Sequence, residues 1–377
     1  MKPRKVRVDF RKNRSERTRI GDWTRQFEKH GFEEESEVTG ERVGGKSELS
    51  RKRTVIGELV SYEKQKGKAD FDVLPDVDTE RLLACRVLRV HGASSVVQTE
   101  DGRQFQCITR RILKTLSTEQ RQPVVAGDRV LIRPAPTEGE GMIERVEPRT
   151  GTIARTSKQR KHVLVANVDQ VLIIASASEP ALKPNLIDRM ILTAEQSGVR
   201  PVVCINKVDL VEPAELQPLV GVYAQMGYKV LLLSVETGFG IERLRRVLMN
   251  QSSVVAGQSG VGKSSLLNAA CPHIQLRVAE IGNAQKGKHT TTTAELIRLS
   301  FGGYVVDTPG LRQFMLWDII PEEVFGLFRD LRPYENRCHF PDCTHSHEED
   351  CAVKIAVGEG RLDLRRYESY LAIRFGR

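Results

Sequence analysis

Long apolar runs are missing from this chain of 377 residues: nothing in it approaches the ~18 consecutive apolar residues that cross a bilayer, so no membrane partner is expected. The first stretch, MKPRKVRVDFRKNRSERTR, is charged from its second residue and has no apolar segment of the kind a secretion leader needs, which predicts a cytoplasmic protein. Cysteine is scarce, seven in all, and three of the seven crowd together at Cys338, Cys343 and Cys351. That crowding excludes an evenly spread disulfide framework and points to a metal. Aromatic residues make up only 6%, and no feature calls for an obligate oligomer, so a monomer is expected. What the chain does have is enough apolar material, 40%, for two or three separate cores at this length.

Charge is unevenly placed. The net charge is +9, and residues 1–30 hold eleven Lys or Arg against four Asp or Glu. Residues 1–80 read as a basic extension, largely disordered, because they lack apolar periodicity; Trp23 and Phe27, four apart, hint at one short helix. Such a tail either neutralises nucleic-acid phosphates or serves as a solvated extension, and both readings stay open. From 81 to 155 the pattern is period-two and punctuated by turns, with LLACRVLRV, SSVVQTEDGRQFQCI, AGDRVLIRP and GMIERVEPR as strands. Asp101-Gly102 is a hairpin turn, and about five strands fit a small OB-like β-barrel. The segment offers no aromatic stacking pair beyond Phe105, so its fold is better marked than its ligand.

Residues 156–330 change rhythm to alternating strands and helices. VLIIA, VVCI, VLLLS and SVVAG are continuously apolar, as strands buried on both faces of a parallel sheet must be. Directly after SVVA comes Gly257-Gln258-Ser259-Gly260-Val261-Gly262-Lys263-Ser264, followed by Ser265 and a helical run, which is a complete phosphate loop in its strand–loop–helix setting. The backbone N–H groups of such a loop surround phosphates, the Lys263 ammonium faces the β- and γ-groups, and the Ser264 hydroxyl ligates Mg2+. Fifty residues after Gly257, Asp307 ends the apolar strand GGYVVD and supplies the second magnesium ligand, with the Gly310 N–H directed to the γ-phosphate.

The base is read by Asn206, Lys207, Val208 and Asp209. Guanine presents two donors, N1–H and N2–H, that the Asp209 carboxylate accepts together, whereas adenine presents a lone pair at N1. Asn206 braces the loops, the Lys207 stem covers the base, and backbone N–H groups at Ser234 and Val235 in SVETG meet guanine O6. The order is unusual: the guanine reader precedes the phosphate loop. An α/β P-loop GTPase that is circularly permuted explains this, since surface termini tolerate reconnection.

Taken together, ANVDQVLII, NKVDL, SVETGFG, GQSGVGKSSLLN, GKHTTTTAEL and DTPGL, with the cysteine cluster, resemble the ribosome small-subunit-dependent GTPase A family of bacterial permuted GTPases over residues 81–377. The resemblance implies an OB domain, a permuted GTPase and a zinc domain that act in late maturation of the small ribosomal subunit, with GTP hydrolysis stimulated by that subunit and with its rRNA as partner. Position 311 is Leu rather than a glutamine that orients water, and the resemblance implies His289 in the first switch as the catalytic residue. One of Thr290 to Thr293 then ligates magnesium, with Thr291 favoured. A GTP-dependent RNA-binding switch with only incidental hydrolysis is the competing function.

Residues 331–377 carry Cys338, Cys343, His345 and Cys351, spaced by four, one and five residues. Three thiolates and an imidazole make a closed tetrahedral zinc site, structural in role, while His339 and His347 are competing ligands read as solvent or RNA contacts. The final RLDLRRYESYLAIRFGR places Leu364, Tyr367 and Leu371 at helical spacing, which predicts an amphipathic basic helix.

Overall fold

The computed structural model describes residues 77, 81–110, 113, 123–157, 160–274, 294–307 and 320–376, with three strands ahead of them; at 155–161, at 307 and in those three strands it describes backbone only. The early strands, β1 (Arg4–Asp9), β2 (Lys52–Tyr62) and β3 (Asp70–Pro75), form an antiparallel sheet in the order β1-β2-β3 within the segment read as a basic extension. Trp23 and Phe27 lie outside the described residues.

The barrel follows: β4 (Leu83–His91), β5 (Ser94–Thr99), β6 (Gln104–Thr109), β7 (Arg129–Pro134) and β8 (Glu140–Val146). They are hydrogen-bonded in the order β4-β5-β6-β8-β7, and β4 also pairs with β7, so the ring closes and leaves no free edge. Asp101 and Gly102 make the β5–β6 turn as the sequence predicts, and inward-facing Val87, Val97, Val130, Ile132 and Ile143 fill the interior. A two-stranded ribbon, β9 (Ile153–Ser157) with β10 (Arg160–Val165), leads out of the barrel.

The α/β sheet is built from β11 (Gln170–Ser176), β12 (Arg200–Asn206), β13 (Lys229–Leu232), β14 (Ser252–Ala256), β15 (Glu295–Arg298) and β16 (Tyr304–Asp307). Its order is β13-β12-β11-β14-β16-β15, all parallel except β15, which runs antiparallel to β16. Helices α1 (Pro184–Gln196), α2 (Pro213–Gln225), α3 (Ile241–Leu248) and α4 (Lys263–Ala270) cover it. One face of β11 and β12 packs Ile173, Val203 and Ile205 on Ile191 and Tyr223; the other packs Leu172, Ile174 and Val202 on Leu244 and Leu266. Each such side chain contributes roughly 1.5–3 kcal/mol on burial, which is why these strands read as unbroken apolar runs. The strand before the phosphate loop lies at the centre of the sheet although it comes fourth in the chain, so the connectivity is that of a circularly permuted GTPase.

The C-terminal part has its own core, in which Val324, Phe325, Phe328, Val353, Ala356 and Tyr370 are buried together with Leu192 of α1. It contains α5 (Val324–Leu327), α6 (Ala352–Gly358) and α7 (Leu364–Phe375). The expected stripe of α7 holds at Tyr367 and Leu371, which pack against this core, and fails at Leu364. Leu364 is 56% exposed, and the fully buried residues of the helix are Arg366, Ser369 and Tyr370. A guanidinium goes inside here because Asp188 and Asp330 meet it: Arg366 Nη1 lies 2.5 Å from Asp188 Oδ1, and Arg366 Nε donates to Asp330 Oδ2 at 2.8 Å.

Candidate functional site

The phosphate loop joins the buried end of β14 to the first turn of α4, whose N-terminal N–H groups and dipole favour an anion. Two glycines are required by space as well as by angle. At Gly257, with φ +144°, an added Cβ would lie 2.1 Å from the Ile174 carbonyl oxygen of β11; at Gly262, with φ +91°, it would lie 2.5 Å from Asn206 Nδ2. No L side chain fits either position. The Lys263 ammonium curls over the loop, donating to the carbonyls of Gly257, at 2.9 Å, and of Gln258. Ser264 and Ser265 are half-buried in the first turn of α4, and Ser259 and Gly260 are exposed at the loop's tip.

The guanine-reading motif arrives from the neighbouring strands. Asn206 ends β12 and is 2% exposed; its Nδ2 donates to the Val261 carbonyl at 2.9 Å, so two motifs 55 residues apart in the chain are joined by one buried hydrogen bond. The Asn206 amide oxygen is buried without a hydrogen-bond partner among the described residues. Lys207 adopts a left-handed conformation, φ 61°, and its ammonium donates to the Glu179 carbonyl at 2.5 Å in the loop after β11. That loop also accepts structure from the motif itself, since the Ala177 N–H donates to the Asn206 carbonyl at 2.8 Å. Asp209 sits in a 3-10 turn, Val208–Leu210, and is exposed.

The SVETG loop is held against the same motif by the Val208 N–H, which donates to the Leu233 carbonyl at 3.2 Å. The two residues expected to meet guanine O6 differ in their surroundings. Ser234 is fully buried, its N–H donates to the Phe239 carbonyl at 3.0 Å and its hydroxyl accepts from the Thr237 N–H at 3.1 Å, so it shapes the loop and its amide is already engaged. Val235 is the exposed member of the pair, at 37%. His289, Thr291, Gly310 and Leu311 lie outside the described residues, and of Asp307 only the backbone is described.

A second site lies in the C-terminal core. One ligand atom each from Cys338, Cys343, His345 and Cys351 falls within 4.8 Å of the others. Cys338 Sγ and Cys351 Sγ are 3.8 Å apart, and His345 Nδ1 lies 3.4 Å from the first and 3.5 Å from the second. A tetrahedral ion with Zn–S bonds near ~2.3 Å separates its sulfurs by about 3.8 Å, so the donor set fits such an ion and could hold a metal such as zinc. His345 is the histidine that belongs. It is 7% exposed and stacked on Phe325 with ring centroids 4.3 Å apart, whereas the His347 side chain is 83% exposed and His339 is exposed beside Phe340. Burial, aided by Arg374, pushes the His345 imidazole below its usual range and so keeps a lone pair available. Burial also pushes the Cys343 thiol up to about 12, so three closely packed thiolates need a cation to replace their protons.

The loop around the cluster is held from α7, where Tyr367 and Tyr370 donate their hydroxyls to the carbonyls of His345 and Thr344, both at 2.8 Å. Helical spacing marked Tyr367 as part of a face and gave no sign of Tyr370; their hydroxyl partners lie more than twenty positions upstream, which no local pattern reveals.

The chain matches the RsgA GTPase family model over residues 146–317. It is 39% identical over 299 residues to the small ribosomal subunit biogenesis GTPase RsgA of Chlorobaculum parvum, an alignment that covers 76% of this chain and 96% of the relative. Among solved structures it is similar to YjeQ from Thermotoga maritima, with a TM-score of 0.65 and 35% identity over 78% of this chain and 98% of that one. It is also similar to YloQ, a circularly permuted GTPase, with a TM-score of 0.62 and 26% identity over 79% and 96% of the two chains. With a permuted sheet, a phosphate loop braced by its guanine reader and a Cys3His cluster behind them, this chain belongs to the RsgA GTPase family and is a GTPase.

Proposed function

We propose that the protein hydrolyses GTP while bound to the small ribosomal subunit, acts in that subunit's late maturation in the cytoplasm, and turns over faster when bound there. The hydrogen bond from Asn206 to the Val261 carbonyl carries this reading, because it fixes base recognition and phosphate recognition in one rigid frame. In this mechanism Asp209 accepts guanine N1–H and N2–H, and the bound base covers a carboxylate that is otherwise exposed. The Lys207 stem lies along the base, and Val235 rather than Ser234 offers its N–H to O6. Residues 257–265 surround the phosphates, and Lys263 neutralises charge as the β–γ bond breaks. Ser264, Thr291 and Asp307 would hold Mg2+, which would offset phosphate charge, while Gly310 would sense the γ-phosphate and His289 would orient the attacking water. Cys338, Cys343, His345 and Cys351 would hold a zinc ion in a structural role, tying the loop around them to the C-terminal core. The rRNA of the subunit is the macromolecular partner.

The support from relatives is their shared name, small ribosomal subunit biogenesis GTPase, over three quarters of this chain. Single-turnover hydrolysis with and without purified small subunits tests the reading. Acceleration of GTP but not ATP cleavage is expected, and His289→Ala should lower the accelerated rate at least about tenfold with GTP affinity intact. Equal competition by ATP, or an unchanged rate with subunits, removes it.

A further inference from the structure

Strand β15 has four residues and is held at both ends by the barrel. On one side it pairs with β16, on the other with β4, and the registers align Arg89, Glu295 and Asp307 in one row across the three strands. The Arg89 guanidinium lies 3.1 Å from the Glu295 carboxylate at the start of β15. At its other end Arg298 Nη2 donates to the Glu100 carbonyl at 3.1 Å in the β5–β6 turn. A third arginine completes the grip. Arg86, three residues before Arg89, places its guanidinium 5.3 Å over the ring of Tyr304, the first residue of β16, and donates to Ser252 Oγ at 2.9 Å where β14 begins. The barrel therefore holds the residue that opens β16 and the residue paired with Asp307, which closes it.

We propose that this grip serves the reaction: Arg89, Glu295 and Arg298 are positioning residues for GTP hydrolysis, through which the barrel sets the placement of the β15–β16 hairpin and so of Asp307. The inference rests on the reading of Asp307 as a magnesium ligand and of the protein as a subunit-stimulated GTPase. Arg89 and Glu295 are 44% and 49% exposed, and a pair so open to water adds little to stability. Breaking it should leave the fold intact and alter the rate.

The test uses the full chain and charge reversal. Arg89→Glu and Glu295→Arg, made singly, are expected to lower the maximal hydrolysis rate about fivefold, while affinity for a non-hydrolysable GTP analogue and the melting temperature stay unchanged. The double reversal restores the pair with opposite polarity and should return the rate to within about twofold of the original. Arg298→Ala should act in the same direction as the single reversals. Wild-type rates in the single variants, a parallel loss of nucleotide affinity, or no recovery in the double variant would overturn the proposal. Should subunits fail to accelerate the unaltered protein, the functional reading fails, and the same variants judge the grip on the intrinsic rate.

Discussion

The barrel and the C-terminal domain are attached to the same α/β sheet by opposite means. The barrel continues the sheet: β4 pairs with β15, and Arg86 reaches from β4 to the carbonyl of Asn167 at 2.7 Å and to Ser252 at 2.9 Å. The C-terminal domain lays α7 and its neighbours against α1, with Arg366, 1% exposed, between Asp188 and Asp330 and 4.4 Å above the Phe328 ring. Tyr223 donates to the same Asp188 at 2.8 Å, and Arg329 pairs with Glu195 of α1 at 2.7 Å. A joint made of strands spreads its energy over many modest contacts. A joint made of buried ions concentrates it, since each charge is tolerated only while its partner is present. One substitution should therefore break the second joint and merely loosen the first.

The largest effect is expected from removing the zinc proposed for the Cys3His cluster. Structural zinc sites of this kind carry roughly 10–16 kcal/mol of apparent binding energy at neutral pH, so chelation should make the C-terminal domain protease-sensitive while the barrel stays resistant. Less than about half a zinc per chain after chelator-free purification would remove this prediction. Next in size is Arg366→Met, which strands two carboxylates and should cost about 3–5 kcal/mol by denaturant titration. Adding Asp188→Asn should recover part of that loss, and failure to recover any would mean the ion pair is not the joint.

Arg86→Ala, on the barrel side, should cost about 1–3 kcal/mol, because Ser252 and the Asn167 carbonyl lose a donor in a part-buried place. A loss as large as that of Arg366→Met would erase the contrast between the joints. The smallest effect is at Asp363, the N-cap of α7, whose side chain accepts the Arg365 N–H at 2.9 Å. Asp363→Ala should cost about 1 kcal/mol or less, since the group is partly solvated. Hydrogen bonding from Arg365 holds this carboxyl below its ordinary range. Its contribution is thus complete above the unfolded value near ~3.9 and fades as pH falls through the lower folded value. Melting curves of variant and parent should converge in strong acid and differ at neutral pH.

Local chemistry made much of the molecule readable in advance. Alternation marked the barrel strands, unbroken apolar runs marked the parallel sheet, and fixed spacing marked the phosphate loop, the guanine reader and the cysteine cluster. The start of α7 departs from the expected stripe because periodicity assumes that apolar residues turn inward. Leu364 is exposed, and Arg366 took its place through carboxylates that lie 36 positions away at Asp330 and further still at Asp188. The engagement of the Ser234 amide was hidden for a related reason, since an N–H already given to Phe239 looks no different in sequence from one that awaits a ligand.

By itself the sequence determined which chemistry is present and in what order, because those patterns need only neighbours a few residues apart. Tertiary structure alone decided that the partner Asn206 braces is the Val261 carbonyl, that Tyr367 and Tyr370 hold the loop around the cysteines, and that a guanidinium can be buried beneath α7. Each of these depends on groups far apart in the chain whose burial is favourable only once folding has brought a partner to them.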